Sequence, residues 1–171
     1  MAKGLPRSLS RGDPQRQEIV KKVIVVEDAT MTIDATTGDG FGSAVIGDFP
    51  EGNILFLGAV GYFTFAGTGS DADLSNTWNG DYSAGTTPTA DASPATADVD
   101  ILAEAAVGPA VSEVSPRTRA AGATQAVFDN TDGSLEINLN LTIDDADIAG
   151  TDSVITINGE LHIAYIVLGD D

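Results

Sequence analysis

The chain contains no cysteine, a single histidine and, beyond residue 22, only two basic side chains. Without thiols, neither a disulfide framework nor a thiolate metal site can hold the fold, so burial of apolar surface must do so. His162 would have to carry any transition-metal centre or Ser-His-Asp triad alone, and no serine stands in a nucleophile-elbow context. It reads instead as a solvated side chain on the polar face of the last strand. Gly67 and Gly69 lack both the GxGxxG spacing and the lysine of a phosphate loop, so nucleotide binding is unsupported. With no constellation for chemistry, the chain is expected not to be an enzyme and to need no cofactor or metal.

Long apolar runs are missing too. The longest, residues 54–66, has 13 residues and is interrupted by Gly58 and Gly61, whereas a membrane helix needs roughly 20. The start has positive charges but only a short apolar run and no small-residue cleavage site, so it does not read as a signal peptide. A soluble protein with no membrane partner is expected.

What is abundant is acid. The first 22 residues hold six of the eight Lys and Arg (Lys3, Arg7, Arg11, Arg16, Lys21, Lys22) against two acids, a net of +4. The other 149 residues hold two basic side chains against 24 acidic ones, a net of −22. An acidic body repels DNA, RNA and anionic lipid and stays soluble. The basic start could neutralise phosphates, but its charges are spread out with no aromatic among them. It reads better as an arm for an acidic protein surface, and no nucleic-acid partner is expected. Carboxylate pairs such as Asp71-Asp73, Asp98-Asp100 and the Asp144-Asp145-Asp147 run are too common for any one to be singled out. The stretch "DNTDGSLE" superficially resembles a calcium loop, but the Asp-x-Asp-x-Asp-Gly spacing is absent and a turn explains the same residues.

With 19 glycines and few strong helix formers, the composition favours strands and turns. Residues 1–17, with Gly4, Pro6, Gly12 and Pro14, read as an extended arm, and 18–171 as one β domain. A first strand is expected from Ile19, followed by alternation around Met31 and Ile33. Phe41, Ser43, Val45 and Phe49 are expected on one side of the next strand. The run at 54–66, apolar on both faces, reads as a central strand covered on both sides. "LEINLNLTID" alternates strictly, with Leu135, Ile137, Leu139, Leu141 and Ile143 against polar neighbours, as a half-buried strand does. The run 154–168 alternates likewise, and the two are expected to pair as an antiparallel ribbon. The turn at 129–133 reads as a hairpin turn. Residues 98–114 fit either a strand or one or two helical turns. Strands with one polar and one apolar face, joined by Gly and Asp turns, point to an all-β antiparallel β-sandwich, jelly-roll-like, with a β-barrel as the alternative.

Residues 67–97 form a long excursion with little periodicity, which in a compact domain is functional or disordered. Trp78 and Tyr82 argue against disorder. They read either as anchors capping the core or as contacts to a neighbouring subunit or partner, where such aromatics concentrate.

At this segment the chain resembles a known family. "DLSNTWNGDYSAGTTPTADAS", "ADVDIL" and the ending "FDNTDGSLEINLNLTIDDADI…INGELHIAYIVLGDD" resemble small structural proteins of tailed bacteriophages encoded with the head genes, over roughly residues 54–171. The resemblance implies a virion protein, and its closest role is a capsid decoration, or cement, protein. Such proteins commonly form trimers of β-sandwich or β-tulip subunits at capsomer junctions and bind the shell through an N-terminal arm. It implies the major capsid protein as partner, a homotrimer, a place on the capsid exterior and assembly in the host bacterial cytoplasm. The expected partner-binding residues are Arg7, Arg11, Arg16, Lys21, Lys22, Trp78 and Tyr82. The alternative is a carbohydrate- or cell-surface-binding β-module in which Trp78 and Tyr82 stack on sugar rings.

Overall fold

The computed structural model describes residues 18–35, 40–67, 73–122, 126–149 and 152–169. The expected arm, with Arg7, Arg11 and Arg16, lies outside the described residues. Strands β1 (Val20–Ile33), β2 (Gly40–Asp48), β3 (Asn53–Gly67), β4 (Gly80–Gly85), β5 (Leu102–Val107), β6 (Thr118–Ala121), β7 (Ala126–Phe128), β8 (Glu136–Ile143) and β9 (Ser153–Gly169) follow one another, with single 3-10 turns at Thr96–Asp98 and Asp145–Asp147.

The strands form two antiparallel sheets packed face to face. One has the order β1-β9-β3-β6 with β7 also on β3, and the other the order β2-β8-β4-β5. Strands β1 to β4 alternate between the sheets, as do β7 to β9, so pairing partners come from distant parts of the chain, a jelly-roll-like order. The open corners are stitched: Asp34 and Phe41 exchange backbone bonds of 2.8 and 3.0 Å, and Leu102 bridges Gly122. The core between the sheets includes Phe56, Phe63 and Phe65 of β3, Leu139 and Leu141 of β8, and Ile157 and Leu161 of β9. Aliphatic and aromatic positions at period two are what the alternating sequences supply.

Several expectations are corrected. β8 and β9 do not form a ribbon: β8 pairs with β2 and β4, and β9 with β1 and β3. The turn at 129–133 is not a hairpin turn, because β7 before it and β8 after it belong to opposite sheets. Asn130 ties it to the β2–β3 connection instead, donating to the carbonyls of Phe49 (3.2 Å) and Pro50 (2.7 Å) and accepting from the Leu135 amide (2.7 Å). Nor is β8 half-buried: Asn138, Asn140 and Thr142, on its polar face, are buried along with its apolar face. The residues at 102–107 are a strand. In β2, a register shift between Val45 and Gly47 turns Phe49 into the core while Val45 stays exposed. The run 54–66 is central, but among the described residues only one of its faces is covered. Ile54, Phe56, Phe63 and Phe65 are buried, whereas Leu55, Val60, Tyr62 and Thr64 are half-buried.

A candidate partner-binding face

Trp78 and Tyr82 sit inside the sandwich, because the long excursion supplies β4, the strand between β8 and β5. The Trp78 indole N–H donates to the Glu113 carbonyl at 2.9 Å, and its own carbonyl accepts from the Ala110 amide at 2.9 Å. Tyr82 donates its hydroxyl to the Thr118 carbonyl at 2.9 Å and packs against Phe63 and Phe65, with ring centroids 5.8 and 5.4 Å away. Burial pushes the Tyr82 phenol up to about 12. Neither side chain reaches the surface, so the expectation that they touch a partner or stack on sugar rings is corrected: they anchor the excursion to its own core.

The carboxylates of this region serve local structure. Asp100 accepts from the Thr86 amide (2.8 Å) and hydroxyl (2.7 Å), and Asp147 accepts from the Asn79 amide (2.8 Å). In the "DNTDGSLE" turn, Asp129 and Asp132 fold back on Thr131 and Ser134 two residues along, so a turn accounts for both. On and beside the four-stranded sheet the acids crowd one another. Burial and then the Asp144 charge raise Asp81; burial and then Asp81 raise Glu104; burial raises Asp100.

The opposite outer face, that of the five-stranded sheet, has another character. Opposed residues in an antiparallel pair share a face, so the register of β1, β9 and β3 aligns Lys21 with Ala164, Val23 with His162 and Val60, and Val25 with Glu160 and Tyr62. Farther along, Val127 and Ile166 flank Leu55. A register shift between Phe56 and Gly58 interrupts β3, and Gly58 takes a positive φ of 149° that a residue with a side chain rarely adopts. With no side chain there, the sheet is hollowed into a shallow groove of about 300 Å³ lined by Lys21, Val23, Gly58, Val60, His162 and Ala164. A second hollow of about 360 Å³ adjoins it, lined by Val25, Thr64, Arg117, Asn158 and Glu160 among others.

A small network organises this second part. Arg117 donates to Glu160 at 2.9 Å with its guanidinium 5.5 Å from the Tyr62 ring centre, and the other Glu160 oxygen lies 3.4 Å from His162 Nε2. Exposed pairs of this kind add little stability; their effect is to hold Arg117 over the Tyr62 ring. Arg119 lies opposite Tyr62 on β6 and is exposed. Of the two lysines expected to bind a partner, Lys21 faces this groove. Lys22 points to the other side of β1 and reaches the Asp48 carbonyl at 2.9 Å. The structure thus places Lys21, Arg117 and Arg119 along one sheet face with a set of valines, a grouping that sequence reasoning missed. The signal was present in β1 and β3, which are apolar on both faces. No protein-family model and no curated protein matches the chain.

Proposed function

We propose that this chain is a structural protein of a tailed-phage virion that binds the outside of the capsid, as a trimer, and stabilises the head by bridging capsomers through the major capsid protein. The observation that supports it best is the outer face of the five-stranded sheet, apolar and cationic on a chain of net charge −18, which nothing else among the described residues covers. A surface of that kind marks a binding partner. A jelly-roll-like sandwich serves virion proteins and lectins alike, so the fold by itself does not choose between them. Burial of Trp78 and Tyr82 removes the residues on which the carbohydrate-binding alternative rested.

The basic segment at 1–17 gives such a protein a second point of attachment, and two linked attachments bind far more tightly than either alone. Empty shells built from the major capsid protein of the parent phage are the test. The full chain is expected to cosediment with them, and removal of residues 1–17 to weaken binding by at least about tenfold. A full chain left in the supernatant overturns the reading; a truncated chain that binds equally well overturns the role of the arm.

A further inference from the structure

We infer that the outer face of the five-stranded sheet is the surface that seats on the shell, and that the shell surface it takes is acidic and apolar. The inference rests on the function proposed above and assigns that function its face and the chemistry of its partner.

Most of the exposed apolar side chains of the two sheets lie there, Val45 on β2 being exposed on the other sheet and Val111 and Val114 in the connection before β6. Val23, Val25 and Val127 keep 51%, 62% and 61% of their surface in water, and they lie on the face that also presents Leu55, Val60 and Tyr62. Covering such side chains removes apolar surface from water without any rearrangement of the fold. The Gly58 hollow lets an apolar side chain of the partner approach the sheet over β9, between β1 and β3.

Charge selects the partner. The described residues include four cations, Lys21, Lys22, Arg117 and Arg119, all on the five-stranded sheet or the segment leading into β6. Lys21, Arg117 and Arg119 flank the apolar strip. The other four of the chain's eight cations lie in residues 1–17, which precede β1 in the sequence. Glu160 is matched by Arg117; at the far end of the second hollow stand Glu27 and Asp28, the latter accepting from the Asn158 side chain at 3.1 Å, so the acids of this face gather at the end away from Lys21. At physiological salt the Debye length is about 8 Å, so an acidic partner on this face feels the cations rather than the acids of the opposite sheet. The same partner is repelled everywhere else, which fixes its orientation.

The test uses the full chain with the empty shells, comparing wild type with Lys21→Glu/Arg119→Glu, with Val25→Asp, and with Glu104→Lys on the other sheet as a control. All four positions are exposed, and cooperative thermal melts verify folding. Both face variants are expected to bind at least about tenfold more weakly, with Glu104→Lys unaffected and wild-type binding falling as salt rises from about 50 to 300 mM. Wild-type-like binding by both face variants overturns the assignment of the face while the proposed function stands. Failure of the wild type itself to bind overturns both. If the face variants instead fall to a smaller mass in sedimentation velocity without shells, the face joins copies of this chain and the acidic partner is overturned.

Discussion

Trp78 and Tyr82 each fasten one stretch of the chain to another through a single polar atom. The Glu113 carbonyl accepts both the Trp78 indole proton (2.9 Å) and the Gly67 amide proton (3.0 Å), so the end of β3 and the start of the β4 segment share one acceptor. Trp78→Phe removes a donor and leaves space in a packed interior; a loss of about 2–3 kcal/mol in urea denaturation is expected. Because the indole is buried within its own subunit, its emission is expected to be blue-shifted and to stay so on dilution. A maximum that reddens as the protein is diluted would place the indole in a dissociating interface. Tyr82 makes a second prediction. Its folded value, about 12, exceeds the ordinary 10.0, so the folded state holds the phenolic proton more tightly than the unfolded state does. The stability this brings is complete below pH 10 and is lost as pH rises through the folded value. Tyr82→Phe is expected to flatten that alkaline loss in a series of melts.

At the scale of the element, β8 shows what period-two patterning conveys and what it leaves open. The alternation at 135–144 identifies a strand and its apolar face, because side chains on a pleated backbone must alternate. It does not identify what covers the polar face. Here the segment after β4 lies across it, and the Asn140 amide, fully buried, is saturated: it accepts from the Ser43 hydroxyl (2.6 Å) and the Thr89 amide (3.0 Å) and donates to the carbonyls of Thr87 (3.3 Å) and Asp98 (2.8 Å). An asparagine both donates and accepts, so it can satisfy loop backbone that an aliphatic residue would strand. Asn140→Leu is expected to cost on the order of 3 kcal/mol and to raise hydrogen exchange first at 86–98; uniform exchange would mean the strap is not held there. The pairing of β8 with β9 was misread for a related reason. Both strands are bounded correctly by their own residues, but sheet membership depends on whether the connection at 144–152 turns back within a layer or crosses to the other, and local sequence does not encode that. The candidate face was legible only as β1 and β3 being apolar on both sides. Which side the fold would leave open depended on strands far away in the chain.

For the molecule as a whole, the governing quantity is a net charge of −18 distributed so that, among the described residues, the cations share the five-stranded sheet and its margin with the exposed Val23, Val25 and Val127, while acids crowd the other sheet. Asp81, Asp100 and Glu104 all have folded values raised chiefly by burial, Asp81 and Glu104 further by neighbouring acids. In the folded state each binds its proton more tightly than in the unfolded state. For these groups, stability is complete below the ordinary values of 3.8 for the aspartates and 4.5 for Glu104, and it falls as pH rises through the raised folded values. The melting temperature is therefore expected to rise as pH is lowered from neutral toward those ordinary values, against the usual acid loss from ion-paired carboxylates. Asp132 works the other way, its value lowered by the Ser134 bonds, but it is fully exposed and screened. Added salt at neutral pH is expected to act in the same direction as acid, since it weakens repulsion among the carboxylates. The combined Asp81→Asn/Asp100→Asn/Glu104→Gln variant should melt at nearly the same temperature at both ends of that range. A wild-type melting temperature that drops steadily from neutral to acid pH would mean that these carboxylates stabilise the fold as ions, and that the crowding of acid on the four-stranded sheet carries no cost.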